Sequence, residues 1–403
     1  MTVAKNVPKS LEPVVNRWLA EQRDFYLGPE NLFRFDQHPI RYLANPDIST
    51  QPGAWCCDNR ARRDEPIRDL TPKEVQEIAM ELARHYRPLR WTISLDYHCN
   101  YDCPMCPYHG TGYEGEEEKF QDYWEKHASQ KRVVSKEEAF ETIDILKENG
   151  IQILSLQSAG ELFLYPHWKE VALYAGSKGF KLWGITNGSL ADEKACQILQ
   201  QAGFTDMRVS LDAVSFEVYS QIRSRRREFY DRAMRAPLLL QQHGIKVNVH
   251  FVKQAQNLHE RDAFLNHWKQ TEVDSISIAN QFVYSADGCA NKFAPEEKPP
   301  RFIHGLCTKY GNFASWHDGT IIPCCGATPI YTDNPDHLLP KLTLKQGNFK
   351  ECVETMNQLM SQADSPFRKI CATCSLYTAY STEKRVDGWV VNVNPERETW
   401  TRA

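Results

Sequence analysis

The sequence predicts an α/β protein, with a parallel sheet or barrel at its centre, a mainly helical extension before it and a small cysteine-rich module after it. Three observations carry this expectation. Six short stretches of strand character alternate with helical segments from Leu89 to about residue 285, the pattern of parallel α/β folds. Before them, helical periodicity is mixed with loop-like sequence. After them the alternation stops, and proline, glycine and cysteine become frequent. The boundaries drawn are therefore 1–88, 89–285 and 286–403.

Each element has its own warrant. In the extension, TPKEVQEIAMELARHY (Thr71–Tyr86) sets Val75, Ile78, Ala79 and Leu82 at helical spacing. The preceding NPDISTQPGAWCCDNRARRDEP is loop-like, and its adjacent Cys56 and Cys57 are read as non-ligand thiols, since such neighbours seldom bind one metal together. LRWTISLDY (Leu89–Tyr97) reads as the first strand and ends in a cysteine loop. An acidic, aromatic insertion (Tyr113–Lys131) follows, and then Ser135 and Glu138 form a capping box for a helix ending near Gly150. IQILSL (Ile151–Leu156), FKLWGIT (Phe180–Thr186), MRVSLD (Met207–Asp212), KVNVHFV (Lys246–Val252) and SISIAN (Ser275–Asn280) complete the six strands.

Composition narrows the function. Among 403 residues, 41% are hydrophobic, enough for a sizeable core. Forty-eight basic residues against 52 acidic ones leave a net charge of -4, so no electrostatic argument favours a nucleic acid or an anionic membrane as partner. The amino terminus lacks the apolar stretch of a secretion signal, and no run of about 18 apolar residues occurs. The expectation is a cytoplasmic chain with no membrane span. Thirteen cysteines in a reducing compartment then point to metal or redox chemistry rather than disulfides.

The loop SLDYHCNYDCPMCPYHG carries Cys99, Cys103 and Cys106. Three thiolates leave one position open on whatever they bind. Zinc would need a fourth ligand, which His98 or His109 could supply; an iron–sulfur cluster would keep one iron open to a substrate or cofactor. If the parallel fold holds, the loop lies at the carboxyl end of a strand, where such folds gather their chemistry.

The spacing C-x3-C-x2-C after a first strand resembles the radical S-adenosylmethionine (radical SAM) superfamily. Three further stretches resemble its motifs in order: QSAGELFLYP (Gln157–Pro166) its GGEP stretch, ITNGS (Ile185–Ser189) its TNG turn, and VSLDAVSFEVYSQIR (Val209–Arg223) its SLDG…Y…IR segment. The resemblance implies a partial (β/α)6 barrel of TIM type. It implies that Cys99, Cys103 and Cys106 ligate a [4Fe-4S] cluster whose open iron is chelated by S-adenosylmethionine (SAM). Gly160 and Glu161 would meet the SAM amino group, Asn187 would sit in the turn, and Ser210 and Asp212 would contact ribose and carboxylate. Arg223 would pair with the carboxylate; read from the residues alone, it is equally a surface ion pair. Three positions depart from the family. Met105 stands where an aromatic residue usually packs on adenine, and Ala159 and Leu162 replace a glycine and a proline of GGEP.

A second set begins with Cys307 and continues as C-x11-G-x4-C to Cys324, with Cys325 beside it, then Cys371 and Cys374 as C-x2-C. Zinc knuckles fit this spacing. It also resembles the SPASM module of radical SAM enzymes, or its shortened twitch form, with DGTIIPCC (Asp318–Cys325) as a hairpin turned by Gly319. That resemblance implies one auxiliary [4Fe-4S] cluster held by Cys307, Cys324, Cys371 and Cys374.

The implied chemistry is reductive cleavage of SAM to a 5′-deoxyadenosyl radical that abstracts hydrogen from substrate. The partners expected are an electron donor such as flavodoxin or ferredoxin and a ribosomally made precursor peptide, to be epimerised, crosslinked or cleaved. A sugar or aminocyclitol is the alternative substrate, and a non-catalytic iron–sulfur scaffold the second alternative. Should the reaction be epimerisation, Cys325 and Cys289 are the candidate hydrogen donors.

Overall fold

A computed structural model describes residues 88–106, 108–110, 132–280, 312–324, 340, 342–362, 365, 382–393 and 397–402. Six parallel strands lie side by side in chain order: β1 (Arg90–Ser94), β2 (Ile153–Gln157), β3 (Lys181–Thr186), β4 (Phe204–Ser210), β5 (Lys246–Lys253) and β6 (Ser275–Asn280). Between them run α1 (Lys136–Glu148), α2 (Trp168–Ser177), α3 (Glu193–Gln201), α4 (Phe216–Ile222), α5 (Arg227–Gln242) and α6 (Arg261–Lys269).

β1 and β6 do not pair with each other, so the barrel is open. On one flank β7 (Phe313–Ser315) lies parallel to β1 and β8 (Ile321–Ile322) antiparallel to β7. α7 (Phe349–Met360) follows in the chain. On the other flank β11 (Arg397–Arg402) pairs antiparallel with β6, followed outward by β10 (Trp389–Val393) and β9 (Thr382–Val386). The described strands beyond residue 285 therefore extend the core sheet at both ends.

Alternation explains why these strands form and which way they face. Trp91, Ile93, Met207, Val209, Val247, Val249, Ile276 and Ile278 share one core with Ile143, Val171, Leu199, Ala233 and Phe264 of the helices. The intervening positions are polar yet buried: Ser155, Arg208, Asn248, Ser275 and Ser277. Burial there is offset by side-chain hydrogen bonds, Ser155 Oγ accepting from Gln157 Nε2 at 2.7 Å. Asn248 accepts from Arg208 Nε at 3.1 Å and donates to Ser275 Oγ and Ser277 Oγ at 2.7 and 3.0 Å.

Local signals behave as expected. Ser135 and Glu138 form the capping box of α1. Gly319 has φ +87° at the turn between β7 and β8, and Gly319 N donates to Trp316 O. The helix expected at Thr71–Tyr86, the insertion at Tyr113–Lys131, and Cys56 and Cys57 lie outside the described residues.

Candidate active site

The carboxyl ends of the strands meet around one cavity of about 340 Å³, lined by Cys99, Cys103, Cys106, Met105, Gly160, Glu161, Asn187, Ser210 and Arg223 among others. Each arrives there for a local reason.

β1 runs into Asp96, which is fully buried. Its Oδ1 accepts from Ser158 Oγ at 2.6 Å and from His98 N at 3.1 Å, and its Oδ2 lies 3.2 Å from His98 Nδ1. The backbones of the two loops then zip together: Ala159 N donates to Asp96 O, and Glu161 N to His98 O at 2.7 Å. Gly160 sits between those bonds. A Cβ there would lie 1.8 Å from His98 O, so the contact requires a residue without one. The cysteine loop turns on itself through Cys106 N to Cys103 O at 2.8 Å. Tyr101 anchors it, with its hydroxyl 2.8 Å from that of Tyr219 and its ring stacked on Phe229.

Glu161 is also buried. Its carboxylate accepts from Thr186 Oγ1 and Asn187 N, both at 2.7 Å, and from Phe163 N at 3.4 Å. It thereby holds the turn after β3, where Gly188 takes φ +81°. Asn187 Nδ2 donates to Asn100 Oδ1, and Asn100 Nδ2 to Ser189 Oγ, both at 2.9 Å, which ties that turn back to the cysteine loop.

After β4, Asp212 is fully buried and adopts φ 64°. Its side chain accepts from Val252 N at 2.7 Å and pairs with Arg223. Asp212 lies behind the cavity wall rather than in it. Arg223, 12% exposed, forms a largely enclosed ion pair and not a surface one, because as the C-cap of α4 it lies between Asp212 and Cys103.

Burial sets the electrostatics of the site. Burial pushes the Cys99 and Cys106 thiols up, and Cys103 to about 11, with the Arg223 charge the chief opposing influence on Cys103. Burial also raises Glu161 to about 7 against the hydrogen bonds from Asn187 and Thr186. A bound metal group would reverse this for the thiols, which ligate only as thiolates. Among the described residues, no three His, Cys, Asp or Glu side chains close on a single metal ion. Three thiols spread around a cavity suit a group with its own bulk, such as an iron–sulfur cluster.

Cys324 lies just after β8, half-buried against the core. Cys289, Cys307, Cys325, Cys371 and Cys374 lie outside the described residues. Asp96, Asn100, Tyr101 and Ser158 shape the site but carry no motif. The one hint was a carboxylate at a strand end, just ahead of the cysteines.

Comparison with known proteins agrees with this geometry. Residues 93–267 match the family model described as "Radical SAM superfamily". The antilisterial bacteriocin subtilosin biosynthesis protein AlbA of Bacillus subtilis is 27% identical over 227 residues, 54% of this chain and 45% of AlbA. Fe-coproporphyrin III synthase of Methanosarcina barkeri is 30% identical over 155 residues, 38% of each chain. The chain thus spans less than half the length of these curated relatives. Among solved structures, Streptococcus suis SuiB bound to precursor peptide SuiA superposes with TM-score 0.51 at 14% identity, covering 76% of this chain and 75% of SuiB. The anSMEcpe structure with bound AdoMet gives 0.50 at 17%, covering 68% and 84%. The cysteine loop, the glycine–glutamate stretch and the turn after β3 gather on one open parallel barrel, and residues 93–267, which carry them, are the part of the chain similar to the radical SAM superfamily.

Proposed function

We propose that the protein is a radical SAM enzyme in which Cys99, Cys103 and Cys106 hold a [4Fe-4S] cluster and the adjoining cavity receives SAM. The observation that carries the reading is the convergence of three thiols, the Gly160 backbone and the Glu161 carboxylate on one cavity at the carboxyl ends of the strands. When bound, cluster and SAM together supply a one-electron cleavage that yields methionine and a 5′-deoxyadenosyl radical.

The chain's own residues do the rest. Glu161 offers a carboxylate to the SAM ammonium, and Gly160, by lacking a side chain, lets this stretch pack directly on the His98 backbone at the cavity edge. Met105 offers a thioether to the adenine face, and Ser210 a hydroxyl to the ribose. The walls keep water from the radical and hold the target C–H near it. Cys307, Cys324, Cys371 and Cys374 are proposed to hold one auxiliary cluster, and a flavodoxin or ferredoxin to deliver the electron.

The substrate proposed is a ribosomally synthesised precursor peptide, modified by epimerisation, crosslinking or cleavage. The likeness to a bacteriocin biosynthesis protein supports this, as does the fold shared with SuiB, solved with a precursor peptide. The likeness to Fe-coproporphyrin III synthase supports a small molecule as the second reading. Cys325 and Cys289 remain the candidate hydrogen donors for epimerisation; Cys325→Ala turned over in heavy water tests the first, and unchanged deuterium incorporation at an inverted centre removes it from the role.

The test is anaerobic reconstitution of the full-length protein. With dithionite and SAM it should release 5′-deoxyadenosine, and no release refutes the enzyme. A short peptide encoded beside the gene should stimulate release and change in mass. Stimulation by an aminocyclitol or porphyrin instead refutes the peptide reading.

A further inference from the structure

Cys103 is the most buried of the three loop cysteines, 6% exposed. Arg223 reaches it from the end of α4, 120 residues along the chain. Its Nη1 donates to Cys103 Sγ at 3.7 Å, and the Cys103 thiol in turn lies 3.8 Å from the Arg223 carbonyl oxygen. On its other side the guanidinium is held by Asp212.

Asp212 is itself fixed from three directions. Val252 N donates to its Oδ1, Asn257 Nδ2 donates to its carbonyl oxygen at 2.9 Å, and Leu211 and Asp212 both donate their backbone N–H groups to His250 O. This holds a non-glycine residue at φ 64°, a strained conformation that persists only where the surroundings over-determine it. The arrangement aims a guanidinium at a sulfur.

We propose that Arg223 is a positioning residue for the cluster: its guanidinium donates an N–H···S hydrogen bond to the Cys103 thiolate and thereby raises the cluster's reduction potential, rather than binding the SAM carboxylate. The inference rests on Cys103 being a cluster ligand. Hydrogen bonds to cluster sulfurs, like nearby positive charge, stabilise the more negative, reduced state. Asp212 cancels much of the long-range charge of Arg223 but leaves the directed N–H in place.

The first test needs no variant. Full-length protein labelled with guanidino-¹⁵N arginine is reconstituted, reduced without SAM, and examined by pulsed EPR. Arg223 is the arginine among the cavity-lining residues, so a ¹⁵N coupling to the reduced cluster is expected, and its absence overturns the proposal. A sample with no cluster signal at all refutes the ligand assignment beneath it, which is a distinguishable result. The second test is a potentiometric titration with SAM affinity measured alongside. Arg223→Met should lower the equilibrium constant for reduction about tenfold, ~59 mV for one electron, with SAM Kd nearly unchanged. Arg223→Lys should recover part of the shift. An unchanged potential with a sharply raised SAM Kd overturns the proposal, because it puts Arg223 on the SAM carboxylate.

Discussion

Replacing Glu161 by glutamine separates what this residue does for binding from what it does for folding. Glu161 is 1% exposed, and burial raises its carboxyl from 4.5 to about 7. In the folded state it therefore holds its proton more tightly than in the unfolded chain. The native state binds more protons between pH 4.5 and 7, so this residue's contribution to stability falls as pH rises through that window and is flat above it. A shift of this size means the ionised carboxylate costs about 3 kcal/mol above pH 8. Glutamine removes that cost, but one of its two amide positions then faces donors such as Asn187 N–H or Thr186 Oγ1–H, a loss of about 1–3 kcal/mol. The two nearly cancel. Glu161→Gln should thus have stability close to wild type at pH 8, and the difference should move by about 1 kcal/mol in the variant's favour from pH 6 to pH 8.5. Denaturant unfolding of the reconstituted protein at both pH values reads this, and isothermal titration with SAM reads binding. Affinity should fall at least about tenfold, since a neutral amide replaces the carboxylate opposite an ammonium. A variant several kcal/mol less stable at both pH values, or one that binds SAM normally, refutes the reasoning.

Three further outcomes follow from individual contacts. Gly160→Ala should abolish cluster assembly, measured as iron and sulfide per chain, because the new methyl would lie 1.8 Å from His98 O and force the two loops apart; full occupancy would contradict the close approach. Asp206, buried on β4, is raised to about 6 by burial, so its contribution to stability declines as pH climbs from about 4 to about 6; Asp206→Asn should gain about 1 kcal/mol relative to wild type between pH 5 and pH 8 in denaturant unfolding, and parallel curves would count against a buried, protonation-sensitive carboxylate. Trp91→Phe should cost about 1–3 kcal/mol by the same measurement, since it deletes the Nε1 bond to Ser315 Oγ at 2.9 Å and opens space beside Phe313; an unaltered midpoint would mean β7 is not held to β1 in this way.

The elements that were legible in the chain are those whose signals are short in range. Ser135 and Glu138 are three residues apart, and their capping box forms as the spacing predicts. SISIAN alternates, and Ile276 and Ile278 go to the core while Ser275 and Ser277 bond to Asn248. The hairpin of β9 and β10 had a local signal too, since Asp387 and Gly388, with φ 48° and 77°, form the tight turn that such a pair favours. Its attachment through β11 to β6 had none, because strand partners more than a hundred residues apart leave no mark in either sequence.

By itself, then, the sequence determined the alternation of strands and helices, the spacing of the three loop cysteines and the motifs that follow successive strands. These depend on neighbours within a turn or a loop. Only the tertiary structure decided that Gly160 abuts His98, that Arg223 lies against Cys103 and Asp212, and that Glu161 is buried with a carboxyl raised to about 7. Contact and desolvation belong to the packed molecule, because each is set by what surrounds a group in space and not by what adjoins it along the chain.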